Sequence, residues 1–275
     1  MLSQTINYFS MSTLDNIRHA QPAWYNAAWG YAWLTVMCLL AMAIDDRLLN
    51  GVNVWTKPFK FALSISVYFA TIAAMAQLLD RKTLETGLGR VLVWVPLIMA
   101  FFEIFYIFFM AAQGQPSHFN TSSPFHAAMY SLMGFGAVCL VLSLTWLAVL
   151  IARERSMHEP LIFAVVVSLI ITTALGGGFG GYLGSQMGHW VQATPTDANG
   201  IWLFKWATDG GDLRVAHFFG MHAMQAIPLL ALLLPSSWAA NTKLAAVIAG
   251  TCAYSAFTIM TFVQAVNGQP FLPMG

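Results

Sequence analysis

Charge is what this sequence has least of: Lys, Arg, Asp and Glu make up 8% of its 275 residues against 58% hydrophobic ones, and the mean hydropathy is +0.66. Water-soluble domains carry about 25% charged residues, so a soluble globular class is excluded. The twelve Lys and Arg residues are spread along the chain without forming a patch, which excludes a nucleic-acid partner. Cysteine is also scarce. Cys38, Cys139 and Cys252 lie in apolar segments without a CxxC spacing, so neither a disulfide framework nor a thiolate metal site is indicated. No HExxH or HxxxH spacing is present, and the last apolar segment has no lysine with which to form a retinal Schiff base.

What is abundant is long apolar sequence. A spanning helix needs about 20 mostly apolar residues, and segments at about 24–44, 57–79, 91–113, 124–151, 160–182, 213–234 and 243–265 meet that length. The expected fold is an all-α integral membrane protein, a single polytopic domain over 1–275 with a bundle of seven transmembrane helices. Residues 1–22 read as a cytoplasmic or interfacial lead-in, too polar for a signal-peptide core.

Lys and Arg mark cytoplasmic loops. Arg18, Arg81, Lys82, Arg90, Arg153, Arg155 and Lys243 fall on one side, and Arg47, Lys57, Lys60, Lys205 and Arg214 on the other. The third connection and the tail carry no Lys or Arg. This asymmetry predicts a cytoplasmic N-terminus, a C-terminus outside, and a multi-pass location in a bacterial-type inner membrane, with the lipid bilayer as the first partner.

With that orientation five of the seven histidines, His118, His126, His189, His217 and His222, lie at the outer face or just beneath it. His19 and His158 sit in the inner flanks as ordinary surface residues. Residues 108–116, FFMAAQGQP, and 262–270, FVQAVNGQP, echo one another, and the Gly-Gln-Pro exit reads as a helix stop. Ser123, Pro124 and His126 read as cap, first helical residue and first turn of the fourth span. Asp212 is the expected cap of the sixth.

On that sixth helix Arg214, His217, Met221, Met224 and Gln225 fall on one stripe, while Ala216, Gly220 and Ala223 form a small-residue surface that allows close helix approach. His126 and His217 stand at matched depth. His222 lies ten residues from Asp212, about 15 Å along the axis, where Glu103 is expected to meet it. A carboxylate at that depth needs a partner or a proton; Lys60 and Arg214 are the alternatives to the histidine. The glycines between Gly176 and Gly184 predict a close neighbour, either a helix or a flat ligand. Trp190, Trp202 and Trp206 in the fifth connection read as part of the interfacial aromatic belt, and that connection is also long enough to cover the outer site.

Three functions fit these residues. The leading one is a redox protein with haem b or a transition metal held by His126 and His217, with Lys60, Tyr130 and Gln225 lining the cofactor and a quinone or other small molecule as partner. The second is a proton-coupled transporter or channel using Glu103 and His222, with Arg214 beside them. The third is a metal-dependent enzyme in which His118, His126, His189 and His217 hold the ion. Haem A synthases are similar in their outer histidines and helical glutamate, but their glutamate is followed by a histidine in the same helix. Here Tyr106 stands three positions after Glu103, and the family is not assigned.

Overall fold

The computed structural model describes residues 14–273. The expected lead-in falls largely in 1–13, outside the described residues; Leu14–Ala20 is a short helix. Among the described residues, seven helices are long and apolar enough to cross a membrane: Pro22–Ile44, Thr56–Leu78, Gly87–Ala112, Pro124–Glu154, Pro160–Ser185, Leu213–Leu233 and Ala240–Val266, the first to seventh spans. At a rise of about 1.5 Å per residue, their lengths of 21 to 31 residues are enough for a hydrocarbon core of about 30 Å. Phe101 and Phe105 in the third span and Leu232 and Leu233 in the sixth point outward, as lipid-facing side chains do.

The helices start and stop where local chemistry dictates. Ser123 Oγ accepts the His126 N–H at 3.2 Å, with Pro124 at the first helical position. Asp212 caps the sixth span by accepting the Arg214 N–H at 3.0 Å. The repeated exit motif is a repeated helix stop. Gly114 and Gly268 have φ of +67° and +72°. In each, the next residue's N–H returns to a carbonyl five positions back, Gln115 to Met110 and Gln269 to Gln264. This is the left-handed glycine cap with its paired return bonds.

Consecutive spans are neighbours, and the fifth also packs on the seventh. The largest apolar core, with Trp24, Phe69, Ile72, Leu144, Leu147, Ile151, Ile162 and Leu169, gathers the first to fifth spans towards the end carrying connections 79–86 and 155–159. The other end carries connections 45–55, 113–123 and 186–212 and the tail. A two-residue ladder pairs Leu48–Leu49 with Val52–Asn53, and a second pairs Trp190–Val191 with Gly211–Asp212. Apolar packing is therefore concentrated in one half, and the polar side chains collect in the other.

Candidate functional site

The third connection does not stay at the surface. After the Gly114 cap the chain turns back, and Ser117 and Asn120 are buried at 2% and 6% exposure. Asn120 holds the turn together: its Nδ2 donates to the Pro116 carbonyl at 3.0 Å, and its Oδ1 accepts from Ser122 N and Oγ at 3.1 and 2.7 Å. Phe119 takes φ of 57°, a left-handed conformation uncommon outside glycine. The result presents His118 inward. Its ring lies 5.3 Å from Phe61 and 6.1 Å from Tyr130, and its Nδ1 meets Ser117 Oγ at 3.2 Å.

His118 Nε2 stands 3.7 Å from Glu103 Oε1. Glu103 is nine residues before the end of its helix at Ala112, about 14 Å along the axis, and is 7% exposed. No hydrogen bond reaches its carboxyl group from the described residues. Lys57 lies in the first turn of the second span with its Nζ 5.8 Å from the Phe61 ring centroid, within Coulombic range of Glu103 and His118. Burial first, and the Lys57 charge second, hold His118 well below the ordinary histidine range, so its imidazole is neutral at physiological pH.

A second polar group ties the fifth connection to the sixth span. Asp212, 1% exposed, accepts from Arg214 Nε at 2.9 Å and Nη2 at 2.6 Å and from the Ala207 N–H at 2.9 Å. Arg214 Nη2 also pairs with Asp197 Oδ1 at 2.9 Å, and His189 Nε2 lies 3.5 Å from that oxygen. Burial holds His189 below its ordinary range despite Asp197. For Asp197, burial alone would raise the carboxyl; the adjacent His189 ring and the Arg214 charge outweigh this and hold it low. Lys60 Nζ donates to the Phe204 carbonyl at 3.2 Å, and the Asp197 N–H donates to the Asn50 carbonyl at 2.9 Å. These bonds pin the connection across the polar end.

The sixth span carries two histidines in defined tautomers. His217 Nδ1 lies 2.9 Å from the Gly176 carbonyl. A carbonyl only accepts, so in the neutral ring Nδ1 holds the proton and Nε2 the lone pair. Gly176 belongs to a π-helical segment, Thr172–Gly177, inside the fifth span. A Cβ at Gly220 would lie 2.6 Å from Gly176 N, and one at Gly180 would lie 2.7 Å from the His217 ring. A neighbouring helix and an imidazole thus account for these glycines.

His222 is fixed by a longer chain. Thr71 Oγ1 donates to the Val67 carbonyl at 2.7 Å, so its oxygen receives Gln225 Nε2 at 3.0 Å. That turns Gln225 Oε1 to His222 Nδ1 at 3.1 Å, and Nδ1 again carries the proton. His126 Nδ1 meets Tyr106 Oη at 3.0 Å.

The partner expected for Glu103 differs from the observed one. Glu103 stands beside His118, while His222 is engaged by Gln225, Lys60 by the Phe204 carbonyl and Arg214 by two aspartates. The reason is the inward fold of 113–123, which carries a loop histidine to the depth of a helical one. His126 is bonded to the third span and His217 to the fifth. Tyr130, expected beside a cofactor, packs near His118 and donates to the Gly184 carbonyl at 2.9 Å. Among the described residues no three His, Cys, Asp or Glu side chains gather in a way that could hold a metal ion.

The sequence marks Lys57 only as one of the outer-side charges and gives no site role to Asn120, Asp197, Tyr106 or Thr71. Only Asn120, in Ser-His-Phe-Asn, has a local turn signal. Comparison with family models, with curated proteins and with solved structures finds no match to this chain.

Proposed function

We propose that this is an inner-membrane protein, N-terminus in the cytoplasm and C-terminus outside, that couples proton transfer at Glu103 to movement of a small molecule through its polar outer end. The observation that carries the reading is the buried Glu103 carboxyl group, which receives no hydrogen bond from the described residues and has His118 3.7 Å away. Ionisable groups inside membrane bundles are costly and occur on proton and substrate paths. His118 takes the partner role first expected of His222. The Lys and Arg distribution supports the orientation.

The test is proton flux in proteoliposomes carrying a trapped pH-sensitive dye. Glu103→Gln is expected to abolish flux and His118→Gln to slow it by at least about tenfold. Unchanged flux in Glu103→Gln refutes the proposal.

A second reading has one specific observation in its favour. A ligating imidazole usually donates its other N–H to a carbonyl or carboxylate, as His217 does to Gly176. His217, with His126, would then hold haem b or a transition metal exchanging electrons with a quinone-like partner. A visible spectrum of purified protein decides it: a bis-histidine haem band lost in both His126→Ala and His217→Ala supports this reading, and a sample without bound haem or stoichiometric metal removes it.

A further inference from the structure

We infer that the polar end takes up a small monocarboxylate on Lys57 together with one proton on Glu103. The inference rests on Glu103 being the proton-bearing group of the proposed function and adds the class of molecule that accompanies the proton.

The cations at this end differ in what they already hold. Arg214 is balanced by Asp212 and Asp197, and Lys60 donates to the Phe204 carbonyl. Lys57 has no hydrogen-bond acceptor among the described residues. Its Nζ lies 5.8 Å from the Phe61 ring centroid, that ring lies 5.3 Å from the His118 ring, and the Glu103 charge acts on it. Glu103 likewise has no donor. A buried carboxyl group and an ammonium, each lacking a hydrogen-bond partner among the described residues and both acting on the His118 imidazole, leave bonding capacity for a ligand.

Charge then sets what the ligand is. Around Glu103 are Lys57 from the second span, His118 from the third connection and Tyr31 from the first span, and Lys57 in turn feels Lys60, Arg214 and Asp197. With Glu103 ionised, it neutralises Lys57 and the empty site has no net charge. An anion arriving alone would leave an uncompensated negative charge in a low-dielectric site, which is unfavourable.

If the anion arrives with a proton that comes to rest on Glu103, the loaded site is again neutral. Lys57, the Glu103 O–H and, with the Ser117 hydroxyl donating to Nδ1, the His118 Nε2–H then offer three donors, matching the two acceptor oxygens of a carboxylate. Phe61, Phe119 and Tyr130 lie around the imidazole, so a second charge on the ligand would find no partner among them, which favours a monocarboxylate with an apolar tail.

The experiment is calorimetric titration of the full chain in nanodiscs with sodium benzoate, and with its neutral isostere benzamide, across pH and in two buffers of different ionisation enthalpy. Expected are uptake of one proton per benzoate, affinity weakening about tenfold per pH unit above the Glu103 titration, and no benzamide binding. Lys57→Met is expected to weaken binding at least tenfold. Glu103→Gln, which imitates the protonated acid, should still bind benzoate but without proton uptake or pH slope; a retained slope would mean that benzoic acid itself binds and would overturn the inference.

Benzamide binding as tight as benzoate, or benzoate binding without proton uptake, also overturns it. Glu103-dependent proton flux in liposomes alongside either result would leave the proton-transfer function standing, so the two failures are distinguishable. Melting temperatures of both variants within a few degrees of the parent ensure that loss of binding is not loss of fold.

Discussion

Gly220→Ala tests the junction between the fifth and sixth spans. The added Cβ would lie 2.6 and 2.7 Å from Gly176 N and Cα, whereas ordinary van der Waals contact begins at 3.4 Å. Both obstructing atoms are backbone, so no side chain can swing aside, and the helices must part by about 0.8 Å, the difference between 3.4 and 2.6 Å. The His217–Gly176 hydrogen bond, at 2.9 Å, would stretch past the limit for a useful bond.

Overpacking costs about 1–3 kcal/mol and the lost bond about 0.5–1.5 kcal/mol, while replacing glycine in a helix returns about 1 kcal/mol. The net expectation is destabilisation by about 0.5–3.5 kcal/mol. Gly181→Ala is the control: a Cβ there meets nothing within 4 Å, so only the helix-propensity gain remains and the sign reverses. Unfolding by SDS in mixed micelles measures both, and nitrogen-15 NMR reads the His217 tautomer. If Gly220→Ala is as stable as Gly181→Ala, or leaves the His217 Nδ1 proton resonance unmoved, the backbone contact is refuted.

Other substitutions probe the remaining connections. Asn120→Ala leaves the Pro116 carbonyl without its donor and is expected to cost about 1–3 kcal/mol in the same unfolding assay, with proton flux slowed as in His118→Gln because His118 is released from its position. His118 and His189 are held below their ordinary range, so the unfolded chain binds more protons; stability is expected to fall as pH drops below about 6.5 and to level off below the folded values. His118→Gln and His189→Gln should each flatten that slope between about pH 5 and 7, and an unchanged slope in both contradicts the neutral assignment. Asp197 is held low, so its stabilisation is present above about pH 4 and is lost as pH falls through the folded value. Asp197→Asn should therefore be less stable than the parent at neutral pH and equal to it in strong acid. Thr71→Val removes the acceptor for Gln225 Nε2 and should shift the His222 tautomer in nitrogen-15 spectra while leaving His217 unchanged.

The spans were legible because an apolar window of membrane length has few other readings, and the caps because they are local. Ser123 and Asp212 each act within three residues of themselves, and the paired glycine stops repeat one chemical motif. The small face of the sixth span was legible for the same reason, since Ala216, Gly220 and Ala223 share it by periodicity and are all buried. The identity of the neighbour was not. Glycine density announces a close approach, but the pairing of Gly176 with Gly220 depends on the rotation of one helix against another and on a π-helical segment that no residue pattern marks.

The site was less legible because depth cannot be counted through a connection. His118 stands six residues beyond the helix end at Ala112, which would place it outside, yet the left-handed Phe119 and the Asn120 bonds bring it beside Glu103. His217 and His222 pose the converse problem: similar by sequence, they also share the Nδ1–H tautomer, but what holds that proton differs. The Gly176 carbonyl is backbone and can only accept, so His217 has a fixed Nε2 lone pair, suited to holding a ligand. Gln225 has both a donor and an acceptor end, and its orientation depends on Thr71. If Thr71 rotates from the Val67 carbonyl, the amide can reverse and the His222 proton can move to Nε2. Of the two, His222 is therefore the one whose protonation pattern the protein is able to switch.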